Sequence, residues 1–255
     1  MEENTNKEES KRLGILHKVI LSIIAVFLIF AIVFGIYTLD YYRADNDAMS
    51  VVREGGNGFT IENEDDYYLF KPNNSINAGF VFYPGGKVAC EAYAPLLANL
   101  AEKGVTCILL KMPANLAVFK VNAAKGIRDM VPGVDKWYIG GHSLGGSIAG
   151  KYLKKSKDDY NGIILLASYL ADDLSDTDMR ALLIYGSNDT VLDMERFNDG
   201  LKYLPKSSTT KIIEGGCHSY FGSYGMQEGD GAPAITREEQ YKETVDLIIE
   251  FITEH

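Results

Sequence analysis

The sequence predicts an α/β domain with a mostly parallel central sheet flanked by helices, preceded by one N-terminal transmembrane helix. Three observations carry this. Beyond Gly79, short continuously apolar segments alternate with helical ones, the pattern of strands buried on both faces by crossover helices. Between the apolar run Trp137 to Gly140 and a small-residue helical stretch, Gly146 to Tyr152, stands Gly141-His142-Ser143-Leu144-Gly145. Finally, Val19 to Leu39 holds no charge and is broken only by Ser22, Gly35, Tyr37 and Thr38.

The apolar run matches the roughly 20 residues a bilayer core requires, whereas a secretory apolar region is about half that length. Lys11, Arg12 and Lys18 precede it, and Asp40, Asp45 and Asp47 follow with Arg43. The positive-inside rule therefore predicts a cytoplasmic tail over residues 1–18, a signal anchor over 19–39 and an extracytoplasmic remainder. Cleavage at Ala48-Met49-Ser50, releasing a chain from Val51, is the competing reading. Residues 40–57 are polar and turn-rich and read as a linker, with the α/β domain over 58–255.

Within that domain the pattern predicts strands at Gly58 to Ile61, Tyr67 to Phe70, Gly79 to Tyr83, Val105 to Leu110, Trp137 to Gly140, Gly162 to Ala167, Ala181 to Gly186 and Thr210 to Ile213. Helices are expected at Glu91 to Lys103, Ala117 to Met130, after Ser143, and at Met194 to Tyr203. A terminal helix is marked by a capping box, Thr236 with Glu239, and by the apolar face Tyr241, Val245, Ile248 and Ile252.

The formal charge of −10 falls entirely after residue 39, because residues 1–18 carry four acidic and four basic groups. An acidic domain without a Lys/Arg cluster argues against nucleic acid and against electrostatic docking to anionic surfaces. The three cysteines, Cys90, Cys107 and Cys217, cannot all pair and lack metal-ligand spacing. Cys217 stands beside a histidine, yet neighbours along a chain seldom face one another, and packing is the favoured reading.

A Gly-x-Ser-x-Gly segment between strand and helix is a nucleophile elbow, in which small neighbours let the serine project above the sheet. Ser143 is the expected nucleophile. Its hydroxyl needs an imidazole to take its proton and a carboxylate to orient that imidazole. Of four histidines, His17 borders the membrane, His142 lies in the elbow and His255 is the terminus, which leaves His218 in Gly215-Gly216-Cys217-His218-Ser219. Asp189, in the turn after Leu182-Leu183-Ile184-Tyr185, is the expected acid, with Asp172 and Asp173 as alternatives. Pro84-Gly85-Gly86-Lys87 follows a strand and can aim backbone amides at a developing oxyanion, so Gly86 or Lys87 is expected to pair with Leu144 as donors.

The combination of Phe82-Tyr83-Pro84-Gly85-Gly86-Lys87-Val88, the elbow, Gly186-Ser187-Asn188-Asp189 and the Gly-Gly-Cys-His loop resembles the alpha/beta hydrolase superfamily, in particular its bacterial fold-5 or dienelactone-hydrolase-like group. The resemblance covers about residues 58–255 and implies an alpha/beta hydrolase fold and a serine carboxylic-ester hydrolase with no metal or organic cofactor. The chain departs from dienelactone hydrolases in having serine where they use cysteine, so their substrate is not carried over. The short link between the strands at 162–167 and 181–186 leaves little room for a lid, and Tyr220, Phe221 and Tyr224 are candidate walls of an acyl pocket. The expected substrate is a small or surface-exposed ester. An acyltransferase or amidase with the same triad, and a non-catalytic envelope binding module, are the alternatives.

Overall fold

A computed structural model describes the backbone of residues 2–156 and 160–254 and the side chains from residue 13 onward. Met1 and His255, the ends of the expected tail and domain, lie outside the described residues. The chain forms two compact units, residues 1–40 and 41–255.

The first unit is a single helix, α1 (Glu2–Leu39). Its Leu13–Leu39 portion is the one helix among the described residues long and apolar enough to cross a membrane, and a signal sequence would pass the same test. At about 1.5 Å per residue such a stretch exceeds a hydrocarbon core of about 30 Å. Two of its hydroxyls are satisfied locally, Ser22 donating to the Lys18 carbonyl at 2.9 Å and Thr38 to the Gly35 carbonyl at 3.0 Å. The helix runs unbroken through the residues expected as a separate tail.

The second unit is built on one mostly parallel sheet with helices on both faces. Its strands are β1 (Phe59–Asn63), β2 (Tyr67–Pro72), β3 (Ala78–Tyr83), β4 (Val105–Leu110), β5 (Lys136–His142), β6 (Gly162–Leu166), β7 (Arg180–Gly186) and β8 (Ser207–Ile213). They form one sheet in the order β1-β2-β4-β3-β5-β6-β7-β8. The β1–β2 and β2–β4 pairs are antiparallel; the remaining pairs are parallel. Alternate residues feed two cores: Phe80, Phe82, Ile164, Leu166, Leu182 and Ile184 on one face, and Val81, Tyr83, Ile163, Leu165, Ala181 and Leu183 on the other. Helices α3 (Ala94–Glu102) and α6 (Arg237–Thr253) cover the first face, while α4 (Leu144–Ser156) and α5 (Met194–Gly200) contribute to the second. The capping box of α6 forms on both sides, Thr236 with Glu239.

Two expectations are corrected. Residues 41–57 are not a free linker. Tyr42 bridges Val88, and α2 (Asn46–Glu54), capped by the Asp45 carboxylate, seats Ala48, Val51 and Val52 at helical spacing against the core. Ala48 is fully buried inside α2, so Ala48-Met49-Ser50 is not an extended, accessible site. Nor is 117–130 a continuous helix: it breaks into single turns at Ala117–Lys120 and Arg128–Met130. The buried Tyr83 hydroxyl donates to the Val121 carbonyl at 2.8 Å and accepts from the Ala124 amide at 3.1 Å, so a side chain replaces the helical ladder there.

Candidate active site

The chain order changes direction between β3 and β5, the switch point at which open α/β sheets place ligands beyond the carboxyl ends of their strands. Ser143 leaves β5 at that point with φ of 52°, a left-handed conformation that costs energy for any residue with a Cβ. Surrounding bonds hold it there: the Ser143 amide donates to the Leu166 carbonyl at 2.9 Å, and its own carbonyl accepts from the Ser168 hydroxyl at 2.6 Å. A Cβ on Gly141 would strike the Tyr83 carbonyl, and one on Gly145 the carbonyls of Tyr83 and Pro84. Both glycines exist because the β3 backbone passes alongside the elbow.

Asp189 and His218 meet, although 29 residues separate them. The His218 Nδ1 lies 2.9 Å from Asp189 Oδ2, and both side chains are excluded from solvent. The other carboxylate oxygen of Asp189 accepts from the amides of Val191 and Leu192 at 2.9 and 2.8 Å, fixing its plane. Asp172 and Asp173 are not the partners of this imidazole: Asp172 lies on a cavity rim and Asp173 accepts from the Ser175 amide. His218 Nε2 is buried without a hydrogen-bond partner. Ser143 and His218 both line a cavity of about 690 Å³. No hydrogen bond closes between the two, a common condition of unliganded sites.

Two further side chains, Asp230 and Gln240, support the loop that carries the imidazole, and sequence reading missed both. The Asp230 carboxylate accepts from the His218 amide at 3.2 Å, the Ser219 amide at 2.8 Å and the Ser219 hydroxyl at 2.6 Å. Burial pushes its pKa up, but these donors outweigh burial and hold it below the usual value. Buried Gln240 of α6 accepts from the Cys217 amide at 3.0 Å and donates to the Cys217 carbonyl at 2.9 Å. The available signal was Gln240 one turn before Thr244 on an otherwise apolar helix face. Cys217 itself is a buried thiol pushed up to about 12, chiefly by burial, and so remains protonated. His142 packs its ring 4.4 Å from that of His218 and places Nδ1 2.8 Å from the Tyr93 hydroxyl. Burial, and then the neighbouring His218, keep its pKa well below 6.5, so it is neutral.

The turn after β3 lies against the elbow, since a Cβ on Gly86 would come within 2.8 Å of Leu144 Cδ2. The Gly85 amide donates to the Tyr93 hydroxyl at 3.1 Å and the Lys87 amide to the Asn115 carbonyl at 2.8 Å. Lys87 is therefore not an available amide donor, contrary to expectation, whereas those of Gly86 and Leu144 donate to no group among the described residues. The aromatic expectation is corrected too. Tyr220, Phe221 and Tyr224 do not line the cavity; Phe221 packs on His142, and Tyr224 packs on Tyr42 and Tyr93. The walls come instead from Leu144, Ile148, Tyr169, Leu170, Val191 and Leu192, with an exposed charged rim that includes Lys151 and Arg196. Tyr169 and Leu170 belong to the short β6–β7 link.

The model of the alpha/beta hydrolase family matches residues 79–242, which spans β3 to the second turn of α6, and the chain belongs to that family. No curated protein matches it. Among solved structures it is similar to a carboxyl esterase from the mycorrhizal fungus Tuber melanosporum (15% identity, 82% of this chain and 89% of that one, TM-score 0.55). It is also similar to an alpha/beta hydrolase from a metagenome of lagoon sediments at Mar Chica, Morocco (16% identity, 75% and 97%, TM-score 0.56). A third is a predicted hydrolase from Thermoplasma acidophilum (19% identity, 75% and 99%, TM-score 0.53). At these identities the likeness is one of fold.

Proposed function

We propose that this protein is a membrane-anchored serine hydrolase that cleaves carboxylic esters through an acyl-enzyme. The observation that carries the reading is the buried Asp189–His218 pair, whose Nε2 has no partner and whose histidine lines the same cavity as Ser143. In this mechanism Ser143 Oγ attacks the ester carbonyl carbon as its proton passes to His218 Nε2, and Asp189 stabilises the resulting imidazolium. The carbonyl oxygen, now negative, accepts from the amides of Gly86 and Leu144. Collapse expels the alcohol, which takes the proton from His218. Water, deprotonated in turn by His218, then releases the acid and restores the serine. Residues 19–39 anchor the chain, and the flanking charges place the catalytic domain outside the cytoplasm.

The test is labelling of the full-length protein with a fluorophosphonate, alongside turnover of a short-chain aryl ester. Both are expected in the wild type and absent from Ser143→Ala. A folded wild type that neither labels nor turns over removes the reading.

A further inference from the structure

Tyr42, expected to lie in a free linker, touches both loops that the proposed mechanism depends on. Its amide donates to the Lys87 carbonyl at 2.8 Å and its carbonyl accepts from the Ala89 amide at 2.9 Å, so it adds one bridge to the turn that carries Gly86. Its hydroxyl accepts from the Glu228 amide at 3.0 Å, two residues before the carboxylate that holds His218 and Ser219. Its ring packs 5.5 Å from that of Tyr224. Asp45 closes the attachment: its amide donates to the Ser223 carbonyl at 2.9 Å, and its carboxylate accepts from the Ser223 hydroxyl at 2.8 Å and from Arg237 at 2.7 Å.

The backbone of Lys87 explains why the turn needs this. Its φ of 58° is left-handed, a conformation that a residue with a Cβ keeps only when its surroundings enforce it. Asn115 holds its amide and Tyr42 its carbonyl. Without the second tie only Asn115 fixes Lys87, and the turn that sets the Gly86 amide beside the elbow loses one of its two anchors.

We propose that Tyr41–Asp45 is a strap that preorganises the active site, with Tyr42 as a positioning residue acting through Lys87 on the Gly86 amide and through Glu228 on the histidine loop. The proposal rests on the esterase reading above. It makes the segment next to the apolar helix in sequence part of the catalytic apparatus, so a chain cut between the strap and the domain loses turnover.

The experiment uses the full-length protein in detergent micelles, comparing wild type with Tyr42→Pro, which deletes the amide tie, and with Tyr42→Ala and Tyr42→Phe. Melting temperature, kcat and KM on a short-chain aryl ester, and fluorophosphonate labelling are recorded for each. Tyr42→Pro is expected to lower kcat about 10- to 100-fold with KM within about twofold, the pattern of a lost transition-state donor. Tyr42→Ala is expected to lower kcat about tenfold at near wild-type stability, and Tyr42→Phe, which keeps the ring contact but loses the tie to Glu228, to lower it by an intermediate factor of about three. A folded Tyr42→Pro with kcat within twofold of wild type overturns the strap; should that variant not fold, Tyr42→Ala with wild-type kcat does so. If the wild type labels and turns over while these variants match it, the strap alone fails. If the wild type does neither, the esterase reading fails and the strap with it.

Discussion

Replacing Asp189 by Asn separates the orienting acid from a structural one. The carboxylate has two tasks: Oδ1 accepts from the Val191 and Leu192 amides, and Oδ2 meets His218 Nδ1. Asparagine keeps the first task with its carbonyl oxygen, which turns its NH₂ group toward Nδ1. With both side chains shut off from water, the only way to avoid two opposed donors is for the imidazole to move its proton to Nε2, where it can no longer accept from Ser143. The expected loss in kcat is about 10⁴-fold, equivalent to about 5.5 kcal/mol of barrier. Stability should fall by only about 1.5–3 kcal/mol, one charge-assisted hydrogen bond. Steady-state kinetics on an aryl ester, with thermal unfolding of the same preparation, measure both. A folded Asp189→Asn within tenfold of wild type would refute the reasoning, most sharply if Asp172→Asn proved the damaging change.

Gly145→Ala places a methyl against the carbonyls of Tyr83 and Pro84, which cannot yield without shifting β3. The expected cost is about 3 kcal/mol, roughly 6–12 °C in Tm by thermal unfolding. Acid should loosen the loops around the site, because the carboxyls of Asp45 and Asp230 are both held below the usual 3.8. A depressed native pKa contributes stability above the unfolded value, and this is lost as pH falls from about 3.8 through the native value. Asp230→Asn should flatten that acid limb in Tm recorded from neutral to strongly acidic pH; an unchanged limb would count against Asp230 as its source.

Much of the fold was legible because a strand covered on both faces must be apolar throughout. Gly79 to Tyr83, Val105 to Leu110 and Gly162 to Ala167 could hardly be read otherwise, and the observed strands agree to within a residue or two. Short-range chemistry was equally legible: the capping box of α6 and the small-residue elbow around Ser143 involve neighbours in sequence, whose geometry their own side chains dictate. The segment 117–130 misled because its spacing suits a helix, whereas the Tyr83 hydroxyl, 38 residues before Val121, supplies the competing hydrogen bonds. The segment 40–57 misled for the converse reason. Only a short apolar face of α2, Ala48, Val51 and Val52, reaches inward, and the rest of the segment's order comes from polar ties to Lys87, Ser223, Glu228 and Arg237, which have no signature in a one-dimensional pattern.

The parallel sheet, the apolar helix and the sharp small-residue turn at Ser143 were readable because each follows from side-chain size and polarity over a few consecutive residues. Only the tertiary structure decided that Asp189 rather than Asp172 meets His218, that Lys87 spends its amide on Asn115, and that Leu170 and Val191 rather than Tyr220 wall the cavity. Each of those outcomes depends on which backbone groups distant in the chain come within about 3 Å of one another, the range over which a hydrogen bond acts.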